Sequence, residues 1–372
     1  MRVAVVGLSD VGRSPRLQYH ALALAREGAD VDVVAHAGTP PLPELAGHPR
    51  VRLHLLPAPG ALSLPARALA GAPPLLGRLL GSRPELILLQ APPTVPALLA
   101  SLAAARLGAA LLVVDWHNLG HTLLGLRLPP SHPPVRLHEL HDRALGGHAD
   151  AHLCVSAAMR AELERWGLRD VRTFLDQPAG RFRPASRDER AALFARLPAL
   201  AGLAPERTRL AVSPTSFTRD EDFGPLFEAA GRYQGPELAV VVTGLGPLRE
   251  AFERRVAEAP ARVSIRTAFL AHEDYALLLG SADVGLSFHR SSSGLDLPMK
   301  IADLRGAGLP VLARDYAPAL REIPGLGLFD GGEGLARLLA ETLAAPRPPL
   351  PAVRWEEEWR RAVWPVLRGV AR

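Results

Sequence analysis

Along this chain, short unbroken apolar runs alternate with stretches whose apolar positions recur every three or four residues. Unbroken runs suit strands buried on both faces of a parallel sheet, and the intervening period suits the helices that cover them. The first half predicts strands at Arg2–Gly7, Ala29–Ala35, Val51–Leu56, Leu86–Gln90, Ala110–Asp115 and Ala151–Ser156. It predicts helices at Leu17–Glu27, Pro134–Gly146 and Ala157–Trp166, with Gly28 and Gly167 as stops. The pattern lapses over Pro178–Arg209, a stretch rich in Pro, Arg and Ala with one helical piece at Ser186–Leu197. It then restarts, with strands at Leu210–Ser213, Leu238–Thr243, Val263–Arg266, Val284–Phe288 and Pro310–Ala313. The helices between and after them are Asp222–Ala230, Gly246–Glu258, His272–Ala282, Pro298–Gly306 and Gly334–Ala345. The tail Trp355–Leu367 is amphipathic, with Trp355 and Trp359 on one face.

Two such halves in tandem predict an α/β fold of two Rossmann-like parallel-sheet domains, 1–180 and 181–350, facing a cleft. Residues 351–372 are expected to form a helix packing back on the first domain. In sheets of this kind ligands bind at the carboxyl ends of strands. That directs attention to the loops after Gly7, Asp115, Ser213, Thr243 and Phe288.

Composition narrows the partners. Hydrophobic residues at 48% and charged residues at 22% describe a globular chain. The net charge of +5 comes almost wholly from dispersed arginines, since Lys300 is the one lysine, and aromatics are only 5%. That argues against nucleic acid and fits anionic ligands or anionic lipid surfaces. The single cysteine, Cys154, excludes an intrachain disulfide and lies in a strand-like run as a buried small hydrophobe. Met1 leads straight into a strand, without the pattern of a secretion signal. Thr94–Val114 approaches membrane-spanning length, but Arg106 and Gly108 favour a helix followed by a strand. With Leu62–Leu80 it remains a candidate membrane-facing patch.

Several clusters carry possible chemistry. Gly7–Arg16 leaves the first strand and enters a helix, yet lacks the GxGxxG spacing of dinucleotide oxidoreductases. Its backbone amides with Gly12, Arg13 and Arg16 suit phosphate or acceptor binding; the alternative is a turn with solvated arginines. Asp115-Trp116-His117-Asn118 ends a buried strand, where Asp115 or His117 can take a proton or serve only as loop hydrogen bonds. In Pro214–Phe223, Thr215 and Ser216 can donate to phosphate or cap a helix, while Asp220, Glu221 and Asp222 suit capping or a sugar hydroxyl. Gly244 and Gly246 permit close backbone approach. Ser291–Gly294 form a small polar loop, followed by Pro298 at the first helical position and Lys300 in the first turn. A cation there makes sense beside a bound phosphate. Asp303, one turn on, can pair with Lys300 or meet a ribose hydroxyl.

These stretches together resemble the chitobiosyldiphosphodolichol β-mannosyltransferase family of N-glycan assembly. The resemblance rests on DVGRSPR at 10–16 with Gln18–Leu22, on DWHN at 115–118, and on Thr215-Ser216 with Asp220–Phe223. It continues in TG and GPLRE at 243–250, SADVG at 281–285 and SSSGLDLPMK at 291–300, in the family's order. It implies the GT-B architecture, with an acceptor-side first domain and a nucleotide-sugar-binding second one. It implies transfer of mannose from GDP-α-mannose to the terminal GlcNAc of a GlcNAc2-diphospho-polyprenol, in a β-1,4 linkage with inversion. Inversion calls for a general base, with His117 or Asp10 as candidates, and such enzymes generally need no bound metal. Thr215, Ser216, Gly244, Gly246, Arg249, Ser292, Ser293, Gly294, Leu295, Lys300 and Asp303 become donor-side candidates. Gly12, Arg13, Arg16, Asp115 and Asn118 become acceptor-side candidates.

The chain departs from the family in places. The usual N-terminal membrane-spanning helix is absent, so a cytoplasmic protein held peripherally at the cytosolic face of a membrane is expected. Leu245 stands where the family has lysine, with Arg249 as a possible substitute; Phe217 replaces tryptophan; and the region near 180–210 is short. Competing readings are a relative with another nucleotide sugar or acceptor, and a non-catalytic scaffold that kept the fold.

Overall fold

The computed structural model describes residues 1–57, 64–258, 263–345 and 348–370. The chain divides into two compact units, one of Met1–Leu175 with Glu356–Arg372 and the other of Asp176–Trp355.

The first unit holds β1 (Arg2–Asp10), β2 (Asp30–His36), β3 (Val51–Leu56), β4 (Leu86–Ala91), β5 (Leu111–Trp116), β6 (Ala151–Cys154) and β7 (Val171–Thr173). They pair in the order β3-β2-β1-β4-β5-β6-β7, parallel throughout. The second unit holds β8 (Arg209–Pro214), β9 (Leu238–Thr243), β10 (Ser264–Ala268), β11 (Val284–Ser287), β12 (Val311–Arg314) and β13 (Leu326–Phe329). Their order is β10-β9-β8-β11-β12-β13, again parallel. Each sheet therefore reverses its strand order beside its first strand, between β1 and β4 and between β8 and β11. At such a reversal the neighbouring connections leave in opposite directions, and a crevice opens at the carboxyl ends. These are the two Rossmann-like domains of the GT-B fold.

Some expectations need correction. The short strands β7 and β13 carry too few residues to stand out as runs in the sequence. The helix after β9 begins at Arg249 rather than Gly246, because Gly244–Leu248 are spent on a turn. Pro298 is the cap of Met299–Gly306 rather than its first residue. The tail is two helices, Trp355–Ala362 and Trp364–Val370, since Pro365 has no N–H with which to continue the first. Thr94–Val114 resolves into the helix Ala97–Gly108 and β5, and Leu64–Ser82 is helical; residues 62 and 63 lie outside the described residues. Among the described residues no helix is long and apolar enough to cross a membrane. Cys154 is fully buried, and burial pushes its thiol up to about 11.

The interior of the first unit contains an ion pair. Arg16 donates from Nε to Asp115 Oδ2 at 2.6 Å and from Nη2 to Oδ1 at 2.7 Å, and the two residues are 1% and 0% exposed. The guanidinium also covers the Phe174 ring at 4.9 Å. Burial alone would raise the Asp115 pKa, but the Arg16 charge and hydrogen bonds hold it well below the usual carboxylate range. Trp359 Nε1 donates to His20 Nδ1 at 2.9 Å, so the ring proton of neutral His20 sits on Nε2, which donates to Asp115 Oδ2 at 3.2 Å. One carboxylate thus ties together the helix Pro15–Arg26, the end of β5 and the tail helix.

Replacing Asp115 by Ala strands a buried guanidinium, and urea denaturation is expected to show a loss of roughly 3–5 kcal/mol. Trp359→Phe keeps the packing but removes the donor to His20. It should cost about 1–3 kcal/mol, the penalty of an unsatisfied buried acceptor.

Candidate functional site

In the second unit, two loops meet at the carboxyl ends of β8 and β11. The first, Thr215–Phe223, folds around Glu221. This carboxylate is 3% exposed; it accepts from Ser216 N at 3.0 Å and from Thr215 Oγ1, and it pairs with Lys300 Nζ. Thr215 Oγ1 in turn accepts from Phe217 N at 2.9 Å, which bends the loop through a left-handed Phe217 at φ 47°. The acidic run was expected within the first helical turn. Instead the helix starts at Gly224, with Asp222 Oδ1 accepting its N–H at 2.9 Å, and Glu221 is left to organise the loop.

The second loop, His289–Pro298, is organised by Asp296. Ser293 Oγ donates to Asp296 Oδ1 at 3.1 Å, and Ser291 Oγ also bonds that oxygen. Ser291 Oγ accepts from Gly294 N at 2.7 Å, and Ser293 Oγ accepts from Leu295 N at 3.1 Å. Gly294 takes φ +73°, a conformation that side chains resist. Ser292 is half-buried in the same turn. His289 lies between the carboxylates of Asp296, 3.2 Å from Nε2, and Asp220, 3.5 Å from Nδ1. Burial would lower its pKa, but the two acids raise it to about 9, so the ring is an imidazolium at neutral pH.

Gly244 and Gly246 have a demanding neighbour. A Cβ on Gly244 would lie 1.9 Å from Thr215 O, and one on Gly246 would lie 1.7 Å from Ser216 O. Their smoothness lets the loop after β9 lie flat under the Thr215–Phe217 loop, so they shape the site from beneath. Arg249 is held by Glu253 at 2.8 Å and by Thr267 at 3.5 Å, while Leu245 is 45% exposed. Asp303 does not pair with Lys300. It accepts from Tyr275 Oη at 3.3 Å, and burial raises it to about 7. Beside Glu221, a pocket of about 290 Å³ is lined by Phe217, Phe223, Phe252 and Arg255.

In the first unit, the loop after β1 is fixed by Asp10. Its carboxylate accepts from Gly12 N at 3.0 Å, from Thr39 N at 3.0 Å and from Thr39 Oγ1 at 2.9 Å. That set of donors makes it a staple between the loops after β1 and β2. Gly12 is needed for the same approach, since a Cβ would lie 2.4 Å from Thr39 O and Pro40 O. Arg16 and Asp115 were expected at a substrate surface and are instead the buried pair described above. Arg13 is exposed on this loop, and His117 is half-buried just past β5, its N–H donating to Ala91 O at 2.7 Å. Asn118 Oδ1 accepts from Leu119 N at 2.7 Å and turns the chain. Among the described residues no cluster of three or more His, Cys, Asp or Glu is arranged to hold a metal.

His289 and Asp296 do not stand out in the sequence, and Glu221 suits capping or a sugar hydroxyl there rather than the anchoring of a loop. The available signal was the acid that follows the serine run in SSSGLD, since a carboxylate close after serines can close a turn on their hydroxyls.

The His289 cluster generates a pH prediction. The folded pKa of about 9 lies above the unfolded value of 6.5, so its stabilisation is complete below about pH 6.5 and fades as pH rises through about 9. Denaturation at pH 6.5 and pH 9.5 should show a loss of roughly 2–3 kcal/mol in the native protein. In His289→Gln that loss should be absent.

Residues 12–175 match the Glycosyl transferase 4-like domain family. The chain is 34% identical to the UDP-glycosyltransferase TURAN of Arabidopsis thaliana, over 99% of this chain and 97% of that protein. It is 34% identical to the human chitobiosyldiphosphodolichol beta-mannosyltransferase, over 98% of this chain and 92% of that protein. Anabaena HepE in complex with UDP-glucose superposes with a TM-score of 0.70 at 13% identity, over 100% of this chain and 98% of that chain, a likeness of fold. With both sheets, their strand order and these relatives in view, the chain belongs to the family of GT-B glycosyltransferases that includes the Arabidopsis and human proteins, enzymes that transfer a sugar from a nucleotide-sugar donor to an acceptor.

Proposed function

We propose that this enzyme is an inverting β-1,4-mannosyltransferase that moves mannose from GDP-α-mannose to the terminal GlcNAc of a GlcNAc2-diphospho-polyprenol. The acceptor 4-hydroxyl attacks the anomeric carbon, its proton passes to a base, and the bond to the diphosphate breaks to release GDP. His117 is the base in this reading, because the carboxylates of Asp10 and Asp115 are committed to structure. No resident metal takes part, and the enzyme works at the cytosolic face of a membrane.

The observation that carries the proposal is the placement of Lys300. It stands in the first turn of the helix Met299–Gly306, beside the ordered Ser291–Leu295 turn, at the carboxyl ends of β8 and β11. A cation opposes the helix dipole there, and a diphosphate reverses the sign of that interaction. Glu221 holds the ammonium in place until the leaving group arrives. The start of the helix shares the developing charge. The human relative's name supports mannose. The Arabidopsis relative's name favours a UDP-sugar, which makes the nucleotide the point to test.

Purified protein given GDP-mannose, a synthetic GlcNAc2-diphospho-lipid and a chelator should form a monomannosyl product that β-mannosidase removes. Clear binding of UDP but not GDP would overturn the donor, and full dependence on added metal would overturn the metal-free step. Lys300→Ala should lower kcat/KM by about 100- to 1000-fold, as loss of a group that stabilises the leaving charge does. Leu245→Lys places a second cation at the loop after β9, and calorimetry should read GDP binding up to about tenfold tighter.

A further inference from the structure

Three helices of the first unit expose leucines where an ordinary surface carries charge. The helices Ala97–Gly108 and Pro133–Gly146 lie side by side. Thr94 Oγ1 meets His138 Nε2 at 2.8 Å at one end, and Arg106 Nη2 reaches His148 O at 3.5 Å at the other. The helix Gly120–Gly125 packs against the second of them, with the Cβ position of Gly120 only 2.6 Å from His138 Nε2. Leu137 and Leu140, one helical turn apart, are 63% and 62% exposed, while Val135, Asp142 and Gly146 face inward. Leu99 and Leu107 are 53% and 72% exposed, and Leu123 and Leu126 are 39% and 46% exposed. Leucines concentrated on adjoining helices make a patch, which isolated surface leucines do not.

The charge on this face is predominantly positive, with Glu139 the exception. Between Glu85 and Glu139 the sequence contains a single acid, Asp115, in a chain with 38 acids. Asp115 is fully buried. The exposed charges are Arg106, Arg127, Arg136 and Arg143, with Glu139 held by Arg143 at 3.1 Å.

We infer that this face rests on an anionic lipid bilayer, its leucines entering the headgroup boundary and its arginines meeting lipid phosphates. Leucine and arginine on one face, with its one partly exposed acid, Glu139, paired to Arg143, is the composition such a boundary selects. A second copy fits less well, because a two-fold contact would set like-charged arginines against one another. The helix Gly120–Gly125 follows directly on His117 and Asn118, so a bilayer at this face brings a lipid-borne acceptor to the loops after β1 and β5. This last point rests on the acceptor proposed above; the surface itself does not.

The test is sedimentation of the full chain with phosphatidylcholine vesicles and with equimolar phosphatidylcholine/phosphatidylglycerol vesicles. Binding is expected to the anionic vesicles, weakening as salt rises. Leu137→Glu/Leu140→Glu should reduce it by at least about tenfold, with an unchanged thermal transition because both side chains face solvent. Arg127→Glu/Arg136→Glu should abolish the preference for anionic lipid. The inference is overturned if the native protein ignores anionic vesicles at low salt or if the leucine variant binds them equally. It is also overturned if sedimentation velocity shows a dimer that the leucine variant dissolves. Turnover separates it from the function proposed above. The leucine variant should keep its rate on a short, water-soluble GlcNAc2-diphosphate acceptor and lose it on one embedded in vesicles. Vesicle binding that follows this pattern without turnover of either acceptor would sink the acceptor and leave the surface standing.

Discussion

A carboxylate removed from water must be given its countercharge, and the first unit is built around that requirement at Asp115. The residue ends a fully buried strand, where desolvation strongly penalises an unpaired charge. Arg16 answers it with a two-pronged contact, and His20 completes the set. To reach Asp115, the helix Pro15–Arg26 must start immediately after β1, which compresses the intervening loop into the turn capped by Asp10. The exposed Arg13 and the half-buried His117 take their positions from this pair, although neither belongs to it.

The second unit solves the same problem closer to its surface. Its acids Glu221 and Asp220 join the first loop to the segment around the second, Asp296 closes the second loop on itself, and Lys300 and His289 neutralise them. The pairing of Lys300 with Glu221 keeps the cation ordered without dispersing its charge into solvent. Beneath them, Gly244 and Gly246 remove the two side chains that would lift the upper loop. Geometry here is set by what is absent as much as by what is present.

Much of this could be read from the chain. The strands Val51–Leu56 and Leu238–Thr243 have the bounds their apolar runs suggest, and the restart after Pro178–Arg209 marks the second sheet. Local chemistry was legible where it depends on near neighbours, as in the polar turn at Ser291–Gly294. Roles that depend on distant partners were not. Arg16 looks like a solvated cation at a helix start until Asp115 arrives from 99 residues away. Glu221 looks like a cap until Lys300 arrives from 79 residues away. Short edge strands such as Val171–Thr173 lack the length to form a pattern.

The first unit is assembled from two separated pieces of chain, and Trp359 reaches His20 across 339 positions. Asp176–Trp355, by contrast, is contiguous. On a ribosome the second unit therefore has all its parts while the first still lacks its closing helix. Until that helix emerges, nothing from the tail covers the place that Trp359 takes, so the beginning of the chain completes its fold only after the end has been made.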